Sequence, residues 1–120
     1  MALGFLRSFI QRLQPSHFTS IEVFDSRSAV PETMGRGVMA VVGTPARPKW
    51  VYFRCPCGQH IVLLSLQASH DPHWRLELGR GGATIFPSVR LTADPYCHFS
   101  VRRGRVIWHP KRFWAGRRRA

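Results

Sequence analysis

The sequence predicts a mainly β domain, a small antiparallel sheet or barrel-like fold preceded by one helix. Three observations support this class. Short runs rich in Val, Ile and aromatic residues recur from residue 38 onward, Gly and Pro separate them, and residues 73–78 alternate apolar and polar side chains. The chain has 120 residues, 44% of them hydrophobic. That composition indicates a folded protein with a single core.

The first predicted element is the helix, over residues 2–14. Apolar side chains at Leu3, Leu6, Ile10 and Leu13 lie on one helical face, and Pro15 ends the pattern. We expect a short helix docked on the core. The alternative is a basic amphipathic helix on a membrane surface.

The predicted strands follow a polar segment that has an alternating apolar patch at Ile21 and Val23. They cover residues 38–43, 49–54, 60–66 and 73–78, and a shorter one covers 83–87. The last unit is a hairpin that turns at Arg103-Gly104, because glycine supplies the positive φ of a tight turn. This register predicts three cross-strand pairs: Val101 with Val106, Phe99 with Trp108, and His98 with His109.

These elements predict three parts: an N-terminal helix and linker over residues 1–29, a β-rich domain over 30–109, and a basic tail over 110–120. The formal net charge is +12, and no acid follows Asp94. Such a surplus favours acidic partners, including nucleic acid. Eight of the eighteen basic residues lie in the C-terminal hairpin and tail, and these are the candidate nucleic-acid-binding residues: Arg102, Arg103, Arg105, Lys111, Arg112, Arg117, Arg118 and Arg119. A solvated tail is the alternative.

The N-terminus does not have the pattern of a secretory signal, and no apolar run is long enough for a membrane span. We therefore expect a cytoplasmic protein. In a reducing compartment, closely spaced cysteines bind metal or act in redox chemistry more often than they form structural disulfides.

The C-P-C-G stretch predicts half of a zinc site. Cys55 and Cys57 are two residues apart, so an extended chain projects both thiols to one side. Cys97 and His98 would complete a Cys₃His set. Consecutive residues on a regular strand face opposite ways, however, so this set needs a distorted strand start. His109 is the alternative ligand. Buried core thiols and a redox pair also remain open.

Four blocks of the chain, VYFRCPCG, HWRLEL, IFPSV and CHFSVRRGRVIW, together resemble a family of small bacterial proteins known as a domain of unknown function. The resemblance covers roughly residues 30–109. It implies a zinc-binding β-rich domain and supports Cys55, Cys57 and His98 as ligands. Some relatives are encoded beside ubiquitin-like conjugation genes, which implies partners in such a system.

Three classes of function compete on this basis. The first, which we favour, is a small zinc-binding accessory protein that acts through protein contacts in a ubiquitin-like conjugation system. The second is nucleic-acid binding through the basic C-terminus. The third is a hydrolase, either zinc-dependent or built on Ser88 or Ser100 with a nearby histidine. No nucleophile elbow or HExxH motif supports the third class, so the sequence leans away from an enzyme and assigns no catalytic residue.

Overall fold

The computed structural model describes residues 17–110. They form eight strands and one 3₁₀ turn, Arg27–Ala29. The strands are β1 Ser20–Phe24, β2 Val38–Gly43, β3 Pro48–Arg54, β4 Ile61–Ser65, β5 Arg75–Gly79, β6 Gly82–Leu91, β7 Cys97–Arg102 and β8 Arg105–Trp108. The mainly β class is confirmed. The predicted helix over residues 2–14 and the tail from residue 111 lie outside the described residues.

The strands form two four-stranded sheets. The first has the order β1-β2-β3-β4, and the second has the order β5-β6-β7-β8. All neighbours are antiparallel except β1 and β2, which run parallel. Residues 25–37, which include the 3₁₀ turn, return the chain to the edge of the sheet at which β1 begins, as a parallel pair requires. Strand β1 therefore belongs to the first sheet although it precedes residue 30.

The C-terminal hairpin has the register that the sequence predicts. Phe99 pairs with Trp108 and Val101 with Val106, and the His109 N–H donates to the His98 carbonyl at 2.8 Å. Strand β6 is longer than predicted and continues through Pro87. Its register against β7 shifts between Ile85 and Val89, and this irregularity accommodates a residue that has no N–H to donate.

One hydrophobic core joins the two sheets. Phe53 of β3 is completely buried, and its ring lies edge-on to Phe18 at 4.9 Å and to Phe99 of β7 at 6.3 Å between centroids. The N–H groups of His17 and Phe18 both donate to the carbonyl of Gly104, in the β7–β8 turn. The segment before β1 therefore fastens the first sheet to the second.

Within residues 17–110, no helix is long and apolar enough to cross a bilayer.

Candidate functional site

Three cysteines from both sheets form a cluster. The Sγ atoms of Cys55, Cys57 and Cys97 all lie within 4.8 Å of one another. Cys55 and Cys97 are buried, and Cys57 is half-buried. Three reduced thiols gathered at one point are the donor set of a soft divalent cation such as Zn²⁺.

The local backbone explains how the first two thiols reach the cluster. The Gly58 N–H donates to the Cys55 carbonyl at 2.7 Å, which closes a tight turn between β3 and β4. Gly58 has φ +84°, and a Cβ there would meet nothing within 4 Å, so the backbone conformation is what favours glycine. Cys97 begins β7 and brings its thiol to this turn from the second sheet.

The three thiols differ in acidity. Burial raises the pKa of Cys55 to about 12, and burial and the neighbouring Cys57 thiol raise the pKa of Cys97. Burial also acts on Cys57, but hydrogen bonds outweigh it and lower its pKa. The strongest comes from the Gln59 N–H, which donates to Cys57 Sγ at 3.3 Å, and the other two thiols also contribute. Cys57 is therefore the most readily deprotonated of the three.

This donor set fits a structural metal ion. In a tetrahedral zinc–thiolate site with Zn–S distances of about 2.3 Å, the sulfur atoms lie about 3.8 Å apart. Thiols within 4.8 Å of one another need only a small adjustment to reach that spacing. The geometry brings together the three cysteines that the sequence singled out.

The other predicted ligands lie elsewhere. His98 follows Cys97 on β7 but is not part of the thiol cluster. Its Nε2 lies 2.9 Å from Ser88 Oγ, and its ring centroid lies 4.7 Å from that of His109. Since β7 keeps a regular alternation, Cys97 and His98 face opposite ways, as the predicted hairpin implied.

Ser88 and His98 form a hydrogen-bonded pair on two adjacent strands. Ser88 lies in the irregular part of β6. His98 is on β7, where it pairs with Arg90 of β6. Burial, then the electrostatic interactions with His109 and Arg90, lower the pKa of His98. A neutral His98 can accept the Ser88 hydroxyl proton at Nε2, which is the geometry of a nucleophile and its general base.

Two further Ser–His pairs have different surroundings. Ser100 Oγ lies 2.7 Å from His109 Nε2, so this pair extends the Ser88–His98 pair along the same face. Ser65 Oγ lies 2.7 Å from His70 Nδ1 and also accepts the Gln67 N–H. Ser65 is only 6% exposed, so its hydroxyl is shielded from solvent, and its hydrogen bonds stabilise the loop after β4.

The basic residues that the sequence proposed for nucleic acid are described only in part. Arg102 and Arg105 form a pair across the β7–β8 hairpin, and Arg103 lies at the turn. The five others, Lys111, Arg112, Arg117, Arg118 and Arg119, lie outside the described residues. Nucleic-acid binding stays a prediction.

The fold and its two side-chain clusters define a class: a small two-sheet β protein with a thiol cluster on one side of a strand and a Ser–His pair on the other. Residues 26–109 match the family described as bacterial ubiquitination-like system serine protease (BubE). The chain belongs to this family, which confirms the expected link to bacterial ubiquitin-like systems. No curated protein and no solved structure matches the chain.

The sequence signal for Ser88 was weak. Its P-S-V step lacks the Gly-x-Ser-x-Gly pattern, and ten residues separate it from His98. The contact between Ser88 and His98 could have been predicted only from the pairing of β6 with β7. That pairing would have followed if the predicted strand over residues 83–87 had been extended. Pro87 concealed that strand.

Proposed function

We propose that this protein is a serine peptidase that acts on proteins of a bacterial ubiquitination-like system, with Ser88 as nucleophile and His98 as general base. The single observation that carries the proposal is the 2.9 Å contact between Ser88 Oγ and His98 Nε2. The name of the family to which the chain belongs supports the same chemistry.

The chemistry follows from the two side chains. Ser88 Oγ attacks the carbonyl carbon of the scissile amide as its proton passes to His98 Nε2. His98 then gives that proton to the leaving nitrogen as the C–N bond breaks, which leaves an ester on Ser88. Water attacks this ester and loses a proton to His98, and His98 then gives that proton to Ser88 Oγ as the ester C–O bond breaks and the carboxylic acid leaves. The lowered pKa of His98 keeps the base in its neutral, proton-accepting form.

The Ser88 pair is preferred over the Ser100 pair because of its position on the backbone. Residues 86–88 have no partners in the β6–β7 register, so the chain there departs from the regular ladder and turns the Ser88 side chain toward His98. Ser100 lies opposite this irregular segment, but it keeps a regular ladder partner in Ile107 of β8. Irregular strand segments are common beside active sites, because they redirect a side chain.

The role proposed for the thiol cluster is structural: Cys55, Cys57 and Cys97 hold a zinc ion. A bound ion would join the β3–β4 turn of the first sheet to the start of β7 in the second. In this respect the proposal retains the zinc site that the sequence predicts, without His98. The catalytic assignment departs from the sequence interpretation, since the Ser88–His98 contact depends on strand pairing.

The test is covalent labelling with a fluorophosphonate probe, followed by peptide mapping of the labelled serine. Wild type and Ser100→Ala are expected to be labelled at Ser88, and Ser88→Ala is expected to lose labelling. Labelling that persists in Ser88→Ala and disappears in Ser100→Ala would identify Ser100, paired with His109, as the nucleophile in place of Ser88. Unlabelled wild type that also fails to cleave proteins of its own system would overturn the peptidase proposal.

A further inference from the structure

His60 directly follows the turn that carries Cys55 and Cys57, two members of the thiol cluster. The Cys55 N–H donates to the His60 carbonyl at 2.8 Å, so the two residues extend the β3–β4 ladder by one pair beyond Arg54 and Ile61. Directly opposed residues of an antiparallel ladder project their side chains to the same face. His60 therefore shares a face with Cys55, whose side chain is buried in the cluster.

His60 also contacts the segment that carries the third thiol. Its Nε2 lies 2.9 Å from the Pro95 carbonyl oxygen, and Cys97 Sγ donates to that same oxygen at 3.6 Å. Since a carbonyl oxygen only accepts, His60 Nε2 carries a proton, and in a neutral ring the lone pair is then at Nδ1. A metal-binding histidine usually donates its other ring N–H to a carboxylate or a backbone carbonyl. Such a donor bond is present here.

We propose that His60 supplies the fourth ligand of a divalent-metal site, through Nδ1, and completes a Cys₃His set with Cys55, Cys57 and Cys97. This inference rests on the metal site of the proposed function. The three thiols alone lie within 4.8 Å of one another, so coordination requires the His60 ring to move toward them. In sequence the site is C-x-C-x₂-H followed by a distant cysteine.

The other histidines of the described residues have different positions. His98 and His109 lie on the opposite face of the second sheet, where each contacts a serine hydroxyl. The His70 ring is held by Ser65, and His73 Nδ1 donates to the His70 carbonyl at 3.0 Å. His17 lies before β1, and its N–H donates to the carbonyl of Gly104 in the β7–β8 turn, at the other end of β7 from Cys97. Among the described residues, His60 is therefore the histidine best placed to reach the thiols.

The test uses Co²⁺ as the probe, titrated into the full-length chain, with His60→Ala, His60→Cys and the exposed control His73→Ala. Wild type and His73→Ala are expected to give intense tetrahedral d–d bands with thiolate-to-cobalt charge transfer. In His60→Ala, Co²⁺ and Zn²⁺ affinity should fall by about tenfold or more and the d–d bands should change. His60→Cys should keep tight binding with bands shifted to longer wavelength, as in a four-thiolate site.

Unchanged affinity and spectrum in His60→Ala would overturn the assignment. Should that variant fail to fold, X-ray absorption at the zinc edge of the wild type decides, because an imidazole ligand gives its own multiple-scattering signature. Absence of that signature with three sulfur ligands present overturns the role of His60 but not the metal site. Absence of any bound metal overturns both, whereas the Ser88–His98 assignment is tested independently by labelling.

Discussion

Cys97 and His98 are consecutive residues on β7, yet they belong to different clusters on opposite sides of the second sheet. The Cys97 thiol meets Cys55 and Cys57, whereas the His98 imidazole meets Ser88. This relationship links a proposed metal site to a proposed base through one peptide bond. Any interaction that fixes the position of Cys97 at the start of β7 therefore also influences the position of His98.

The first prediction concerns this link. Removing zinc with a chelator, or replacing Cys57 with Ser, should loosen the start of β7 and slow fluorophosphonate labelling of Ser88. The melting temperature should fall together with the zinc content, because a structural zinc site contributes directly to folding. Metal content, thermal unfolding and labelling rate are measured on the same samples. The control is Ser69→Ala, an exposed position in the loop after β4. Labelling of Ser88 at the wild-type rate after complete zinc loss would show that the metal site does not influence the Ser88–His98 pair.

A second prediction follows from the acidities of the thiols. Because the pKa values of Cys55 and Cys97 are raised, metal binding at neutral pH must displace protons from both thiols. Apparent zinc affinity should therefore rise with pH across the neutral range. Competition titrations with a chelator of known pH dependence measure this. A pH-independent affinity would show that the thiols bind no metal.

The third prediction concerns His98 as the base. Replacing His98 with Gln removes the proton acceptor of Ser88 but keeps a polar side chain, so labelling of Ser88 should fall by about 100-fold or more. The same change at His109 should have a smaller effect, since His109 contacts Ser100. Circular dichroism of both variants shows whether the fold is retained. Equal losses in the two folded variants would argue against a distinct role for His98.

The fourth prediction tests the β5–β6 turn. Gly82 has φ +121°, and a Cβ there would lie 2.9 Å from the carbonyl carbon of Arg103. Gly82→Ala should therefore reduce the free energy of unfolding by more than about 1 kcal/mol. A methyl group at Gly79, its ladder partner, would meet nothing within 4 Å, so Gly79→Ala is the control and should stay within about 0.5 kcal/mol. Urea unfolding compares the two.

The fifth prediction concerns pH and His17. Burial, and then the charge of Arg36, lower the pKa of His17 in the folded protein below its ordinary value of 6.5. The unfolded chain therefore binds this proton more readily than the folded one. The contribution of His17 to stability is complete above pH 6.5 and is lost as the pH falls through that value toward the folded pKa. His17→Gln should make unfolding midpoints less sensitive to pH between 7.5 and 5. Parallel pH profiles for the variant and wild type would contradict this.

Most of the strands from residue 38 onward could be predicted from residue order alone, because alternation and β-branched runs are typical of a half-buried extended chain. Strand β1 was not predicted and was described only as an alternating apolar patch. The closing hairpin could be predicted to the residue, since Gly104 and the two apolar faces permit one register. Cys55 and Cys57 were identified from their spacing, which is a local property, and Cys97 was added for its residue type and its place beside His98.

How these parts meet depends on the folded chain. The parallel pairing of β1 and the full length of β6 rest on contacts between distant segments, and Pro87 masked the second of these in the sequence. The pairing of the strands in space determines the partners of both histidines. His98 contacts Ser88, and His60 contacts the carbonyl of Pro95. A hydrogen bond or a metal ligand needs atoms a few ångströms apart, and residue spacing along the chain sets such distances only within a single turn or hairpin.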